Sequence, residues 1–71
     1  MRYELYICVV GGDDDDERLI CESNKMQDID QAILNTQEEV ITNADKYYML
    51  NDFTFYSYND FLTIVNSVRA R

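Results

Sequence analysis

The chain carries one strong mark of punctuation: its only two glycines stand together as Gly11-Gly12, and it has no proline. After that pair no residue forces a break, so the later elements must be joined by short polar connections. In front of it, residues 3 to 10 are rich in β-branched and aromatic types. Leu5, Ile7 and Val9 fall on one face, Tyr6, Cys8 and Val10 on the other. Apolar residues on both faces predict a central strand. Behind the glycines, Asp13 to Asp16 interrupt the pattern before Glu17-Arg18-Leu19-Ile20-Cys21-Glu22 resumes it, which predicts an antiparallel hairpin. With the four aspartates as the loop, positions summing to 29 pair, and Cys8 (8 + 21 = 29) lies opposite Cys21. In that register the two are cross-strand neighbours, close enough for a disulfide in an oxidising compartment.

From Ser23-Asn24 onward the period changes. Met26, Ile29, Ile33, Val40, Ala44 and Tyr47 follow helical steps, predicting a helix over 25–45 with Asn24 as N-cap. Thr36-Gln37-Glu38-Glu39 has the spacing of a capping box, so the segment reads either as one helix or as two with a kink at Asn35-Thr36. Residues 47 to 58 are dense in strand formers, with the surest strand at Phe53 to Ser57 and Asn51-Asp52 as a turn. The C-terminal stripe Phe61, Leu62, Ile64, Val65 and Val68 predicts a final helix, capped by Asn59 or Ser57 and ending on Arg69 and Arg71 at the negative end of its dipole. Ile7, Ile33, Leu62 and Val65 are the expected core. The order is β-β-α-β-α: an α+β fold with a small antiparallel sheet of about three strands and two or three helices on one face. At 71 residues the whole chain, 1–71, reads as one domain, since a chain this short buries only around 60% of its unfolded surface. Hydrophobic residues make up 46% of it, which argues against intrinsic disorder.

Charge narrows the function. Fourteen acidic residues face six basic ones with no histidine, a formal charge of −8. That field repels nucleic acid and anionic membranes, so direct binding of either is not expected, and it attracts basic protein surfaces. The same charge also serves solubility. Without histidine the Ser-His and Cys-His arrangements that activate nucleophiles are absent, as is the commonest transition-metal ligand. Cys8 and Cys21 lack CxxC spacing and sit beside apolar residues, as small buried hydrophobes do. The run Asp13 to Glu17 lacks the alternation of a calcium loop and reads as solvated. Gly11-Gly12 ahead of four aspartates is the opposite of a phosphate cradle. No catalytic, metal or cofactor residues are therefore expected, and the protein reads as a non-enzyme. No apolar run approaches the roughly 18 residues of a membrane span, and the Met1-Arg2-Tyr3-Glu4 opening lacks the features of a signal peptide. The expected location is the cytoplasm, that of the host if the protein is phage-encoded.

Acids are interleaved with rings: Glu4 with Tyr3 and Tyr6, Asp45 with Tyr47 and Tyr48, Asp52 with Phe53, Asp60 with Tyr58 and Phe61. Aromatics are enriched at interfaces, and carboxylates beside them can pair with arginines that otherwise hold phosphate. Nine rings exceed what one thin core can hide, so some tyrosines are expected on the surface. The candidate partner-binding residues are Asp13, Asp14, Asp15, Asp16, Glu17, Asp45, Tyr48, Asp52, Tyr58 and Asp60. In composition, though not in any motif, the chain is similar to phage-encoded antagonists such as anti-CRISPR proteins, uracil-glycosylase inhibitors and anti-restriction DNA mimics. That likeness implies a stoichiometric inhibitor occupying a basic, nucleic-acid-binding surface of a host protein. The other reading is an interaction module or small subunit that docks or homodimerises through an aromatic apolar surface.

Overall fold

The computed structural model describes residues 2–69, with the side chains of Asp14 and of 67–69 left out of the description. Six main elements follow in order: β1 (Tyr3–Val9), β2 (Arg18–Ser23), α1 (Met26–Ile41), β3 (Lys46–Leu50), β4 (Phe53–Phe55) and α2 (Tyr58–Arg69). The fold is α+β. Its sheet is antiparallel with strand order β2-β1-β3-β4, and β1 takes the interior position its two apolar faces require. Leu5, Ile7, Tyr48, Leu50 and Phe55 from the sheet share one core with Ile29, Ile33 and Val40 of α1 and Phe61 and Val65 of α2. Both helices therefore cover the same sheet face. Among the described residues, no helix is long and apolar enough to cross a membrane.

The sheet has four strands where the sequence predicts about three. The stretch over 47–58 divides at the expected Asn51-Asp52 turn into two strands, β3 and β4, giving the order β-β-α-β-β-α. Asn51 adopts a positive φ of 51°, a conformation asparagine tolerates better than most residues. Its side-chain oxygen accepts from the Glu4 amide at 3.0 Å and its own amide donates to the Glu4 carbonyl at 3.1 Å, tying the turn to the start of β1. Tyr47, expected on the helix, belongs to β3, and Ala44 lies in the connection before it.

The hairpin differs in register. Its connection spans residues 10–17 rather than the four aspartates alone. Gly12 donates to the Val9 carbonyl at 2.9 Å around Gly11, whose φ of 75° suits glycine. A short 3-10 turn over Asp14–Asp16 follows. Asp16 closes this loop: its amide donates to the Asp13 carbonyl and its carboxylate accepts from the Asp13 amide, both at 2.9 Å. A β-carbon on Gly12 would stand 2.7 Å from that carboxylate. Within the strands Leu5 pairs with Cys21 but Tyr6 pairs with Leu19, so Ile20 is a bulged extra residue. Loop and bulge together separate the cysteines. Cys21 lies opposite Leu5 on the helix side, its thiol 3.7 Å from the Asp28 carbonyl, whereas Cys8 lies on the other face. Both are free thiols, and burial pushes both above the ordinary thiol range.

Helix α1 is one unbroken helix. Thr36, the expected second start, instead donates back to the Ala32 carbonyl at 2.8 Å, and its hydroxyl lies 2.7 Å from that of Tyr48. Lys25 rather than Asn24 stands at the N-cap without a side-chain cap. Ser23 supplies the tether, accepting from the Lys25 amide at 3.0 Å and donating to Asp28 at 2.6 Å. The helix stops at Thr42, where the Asn43 side chain donates to the Glu39 carbonyl.

Ser57 caps α2: its hydroxyl accepts from the Asp60 amide at 3.2 Å while the Asp60 carboxylate accepts from the Tyr56 amide at 3.3 Å. Ile7, Ile33 and Val65 are core as expected, but Leu62 is 36% exposed. The buried residues of α2 are Phe61 and Val65, with Tyr58 and Ile64 partly buried against the core and Leu62 turned toward solvent. A five-residue apolar stripe is wider than the sheet covers. The side chains of Val68, Arg69 and Arg71, assigned to the end of this helix from sequence, lie outside the described residues.

Candidate functional site

An antiparallel sheet covered by helices on one face usually turns polar residues to water on the other. This one does not. The pairings Tyr6↔Leu19, Tyr6↔Met49 and Cys8↔Tyr47 place all five of these side chains on the face away from the helices. Tyr56 joins them just past β4, its ring centroid 6.2 Å from that of Tyr47. Cys8 is buried although no helix covers it, with Tyr47 beside it on the paired strand. Leu19 and Tyr56 stay exposed, at 44% and 59%.

Charge is sorted between the two faces. Arg18 sits opposite Ile7 and Lys46 opposite Val9, so both cations point toward the helix layer. There both bind Glu39 of α1, Arg18 at 2.8 and 3.0 Å and Lys46 at 3.0 Å. The two partners hold the Glu39 carboxyl below the ordinary carboxylate range. The outer face keeps acids. Glu4 lies 3.5 Å from the Tyr6 hydroxyl, and its charge, with help from burial and Glu17, raises that phenol above its usual value. Tyr47 is raised too, first by the Cys8 sulfur, then by burial and more weakly by Glu17. Both phenols thus remain protonated hydrogen-bond donors at neutral pH. Arg2 is held by an ion pair to Glu22.

Asp13, Asp15, Asp16 and Glu17 are exposed around the hairpin loop, and the backbone of Asp14 runs through the same turn. Asp45 joins them, because its carbonyl accepts from the Val10 amide at 2.6 Å and so fixes it at the same end of the sheet. Asp52 is exposed at the opposite end, in the β3-β4 turn. Asp60 is exposed but occupied in the α2 cap. Tyr58 is half-buried, and its phenol is raised first by a hydrogen bond to the Asp30 carboxylate. The Asp30 Oδ1 is buried without a hydrogen-bond partner at standard geometry. Tyr48 presents no surface: it is 0% exposed, stacks on Phe55 at 5.2 Å and shares its hydroxyl with Thr36 and the Ile33 carbonyl. Its neighbour Tyr47 is the one facing outward.

Sequence reasoning missed Tyr6, Leu19, Tyr47, Met49 and Tyr56 as one surface. The signal was the second apolar face of β1, which reads as burial on both sides. No group of three or more cysteines, aspartates or glutamates is arranged to hold a metal among the described residues. No family model matches the chain, and no curated protein or solved structure matches it.

Proposed function

We propose that this protein is a stoichiometric inhibitor that occupies a basic, nucleic-acid-binding surface of another protein, acting by occupancy rather than by chemistry. The observation carrying this reading is the convergence of Asp13, Asp15, Asp16, Glu17 and Asp45 on one end of the sheet, while Arg18 and Lys46 are turned to the helix side and share the Glu39 carboxylate. Unopposed carboxylates at one end of a molecule of charge −8 imitate a run of phosphates and steer a basic partner toward it. The Asp16 contacts hold the loop in place, so little ordering remains to be done on binding.

Replacing Asp13, Asp14, Asp15 and Asp16 with asparagine tests it, since an asparagine side chain at position 16 retains an acceptor for the Asp13 amide. Association should slow markedly at low salt, with a smaller change in dissociation. Raising salt from about 50 to about 500 mM shrinks the Debye length from roughly 14 to roughly 4 Å and should weaken the wild type more than the variant. The nucleic acid held by the partner should be displaced mole for mole. A partner that holds both ligands together, with affinity insensitive to salt, would refute the reading. That outcome would favour the second one, a module that docks through exposed Leu19 and Tyr56.

A further inference from the structure

We infer that the outer sheet face, beside the acidic hairpin end, receives an arginine-bearing extended segment of the protein partner; this rests on the reading of that end as the docking site for a basic surface. The argument is charge complementarity combined with ring chemistry. Glu4 and Glu17 flank Tyr6, Cys8 and Tyr47, and the one cation on this side among the described side chains, Arg2, is already paired with Glu22. A surface of tyrosine faces between carboxylates suits guanidinium groups, which stack flat on rings and bond carboxylates through two parallel N–H groups. An ammonium group can use the charge but not the stacking. Glu17 directly precedes Arg18, which pairs with Ile7, and continuing that register by one residue sets it level with Cys8, four strand positions from Glu4, a separation of roughly 13 Å along the strand. An extended segment with arginines four residues apart matches it.

A second copy of this chain is the other conceivable occupant. Face-to-face pairing would bring Glu4 and Glu17 of both copies together with no free cation of this face between them among the described side chains, so like charge opposes it.

The experiment uses two capped ten-residue peptides, one with arginine at two positions four residues apart and one with lysine there, titrated into the isotope-labelled protein and followed by NMR. The arginine peptide should shift Tyr6, Leu19, Tyr47 and Tyr56 and bind at least about fivefold tighter than the lysine peptide. Tyr56→Ala, at an exposed ring, should reduce that preference to about twofold or less. Asp13→Asn with Asp15→Asn should weaken both peptides alike. Equal affinities with shifts confined to residues 13–17 and 45 would overturn the inference and leave the proposed function standing. No shift with either peptide would overturn both. Shifts of the outer face that depend on protein concentration alone, with a doubled mass in sedimentation, would assign the face to a second copy and overturn it too.

Discussion

Helix α2 offers the sharpest test of how this core is built, because two adjacent apolar residues lie on opposite sides of its boundary. Phe61 is 1% exposed and packs against Phe55 and Tyr58 at ring separations of 5.8 and 6.0 Å, whereas Leu62 is 36% exposed. Truncating a buried phenylalanine to alanine costs about 3–5 kcal/mol, and the two ring contacts place Phe61→Ala toward the upper end. A domain of this length has a total stability of about 4–11 kcal/mol at roughly 0.05–0.15 kcal/mol per residue. The variant should therefore lose a large share of its stability, and all of it at the lower end of that range. Leu62→Ala trims a side chain that is already partly in water and should cost only about 1 kcal/mol. Urea denaturation followed by far-ultraviolet circular dichroism measures both. With a slope near 1 kcal/mol per molar, the Phe61→Ala midpoint should fall by about 3 M or more, and the Leu62→Ala midpoint by about 1 M or less. Equal losses for the two variants would show that the helix is rotated from the position described.

Tyr48→Phe removes a hydroxyl bonded to Thr36 and the Ile33 carbonyl but leaves the ring in the core. It should cost about 1 kcal/mol, lowering the melting temperature by about 4–8 °C, without changing association with the partner; a change in association would return Tyr48 to the interface. Glu39 has a folded pKa depressed by hydrogen bonds from Arg18 and then Lys46, so its contribution is complete above the ordinary carboxylate value of 4.5 and fades as pH falls through the depressed one. The stability gap between wild type and Glu39→Gln should stay level from pH 7 down to about 4.5 and narrow as pH falls below it, and a gap that remains constant to pH 3 would exclude this ion pair as the cause.

The periodicities that identify β1, α1 and α2 are strong because each element buries a face, and that is why the fold class was legible. Register was not. The hairpin offered one visible cue, Gly11-Gly12, and the aspartates behind it suggested a four-residue loop. Asp16 instead folds back on Asp13, lengthening the connection, and Ile20 is accommodated as a bulge because it packs against the core. Neither event has a signature at the level of residue type. The same limit applies to Tyr48. Asp45 beside two tyrosines looks like a surface cluster, but strand alternation sends Tyr47 out and Tyr48 in, and only the pairing with β1 fixes which is which. Leu62 was misplaced for a related reason, since the sheet, not the stripe, decides which shoulder of α2 is covered. The acidic end was legible for its loop residues, while the arrival of Asp45 depends on the crossing from α1 to β3.

The bulge at Ile20 also determines which sign of charge each face displays. In the register that holds for Leu5 and Cys21, Arg18 would fall opposite Cys8 on the outer face, and Leu19 and Glu17 would fall on the helix side. The inserted residue exchanges those positions: Arg18 comes to lie opposite Ile7 within reach of Glu39, and Leu19 lies opposite Tyr6. The same strand paired without the bulge, with Ile20 opposite Tyr6, would present a cation among the tyrosines and hide an acid beneath the helix. Polarity in this protein is thus encoded in register as much as in composition, and a shift of pairing that absorbs the bulge would act on it like a charge-reversal mutation, although it alters no charged residue.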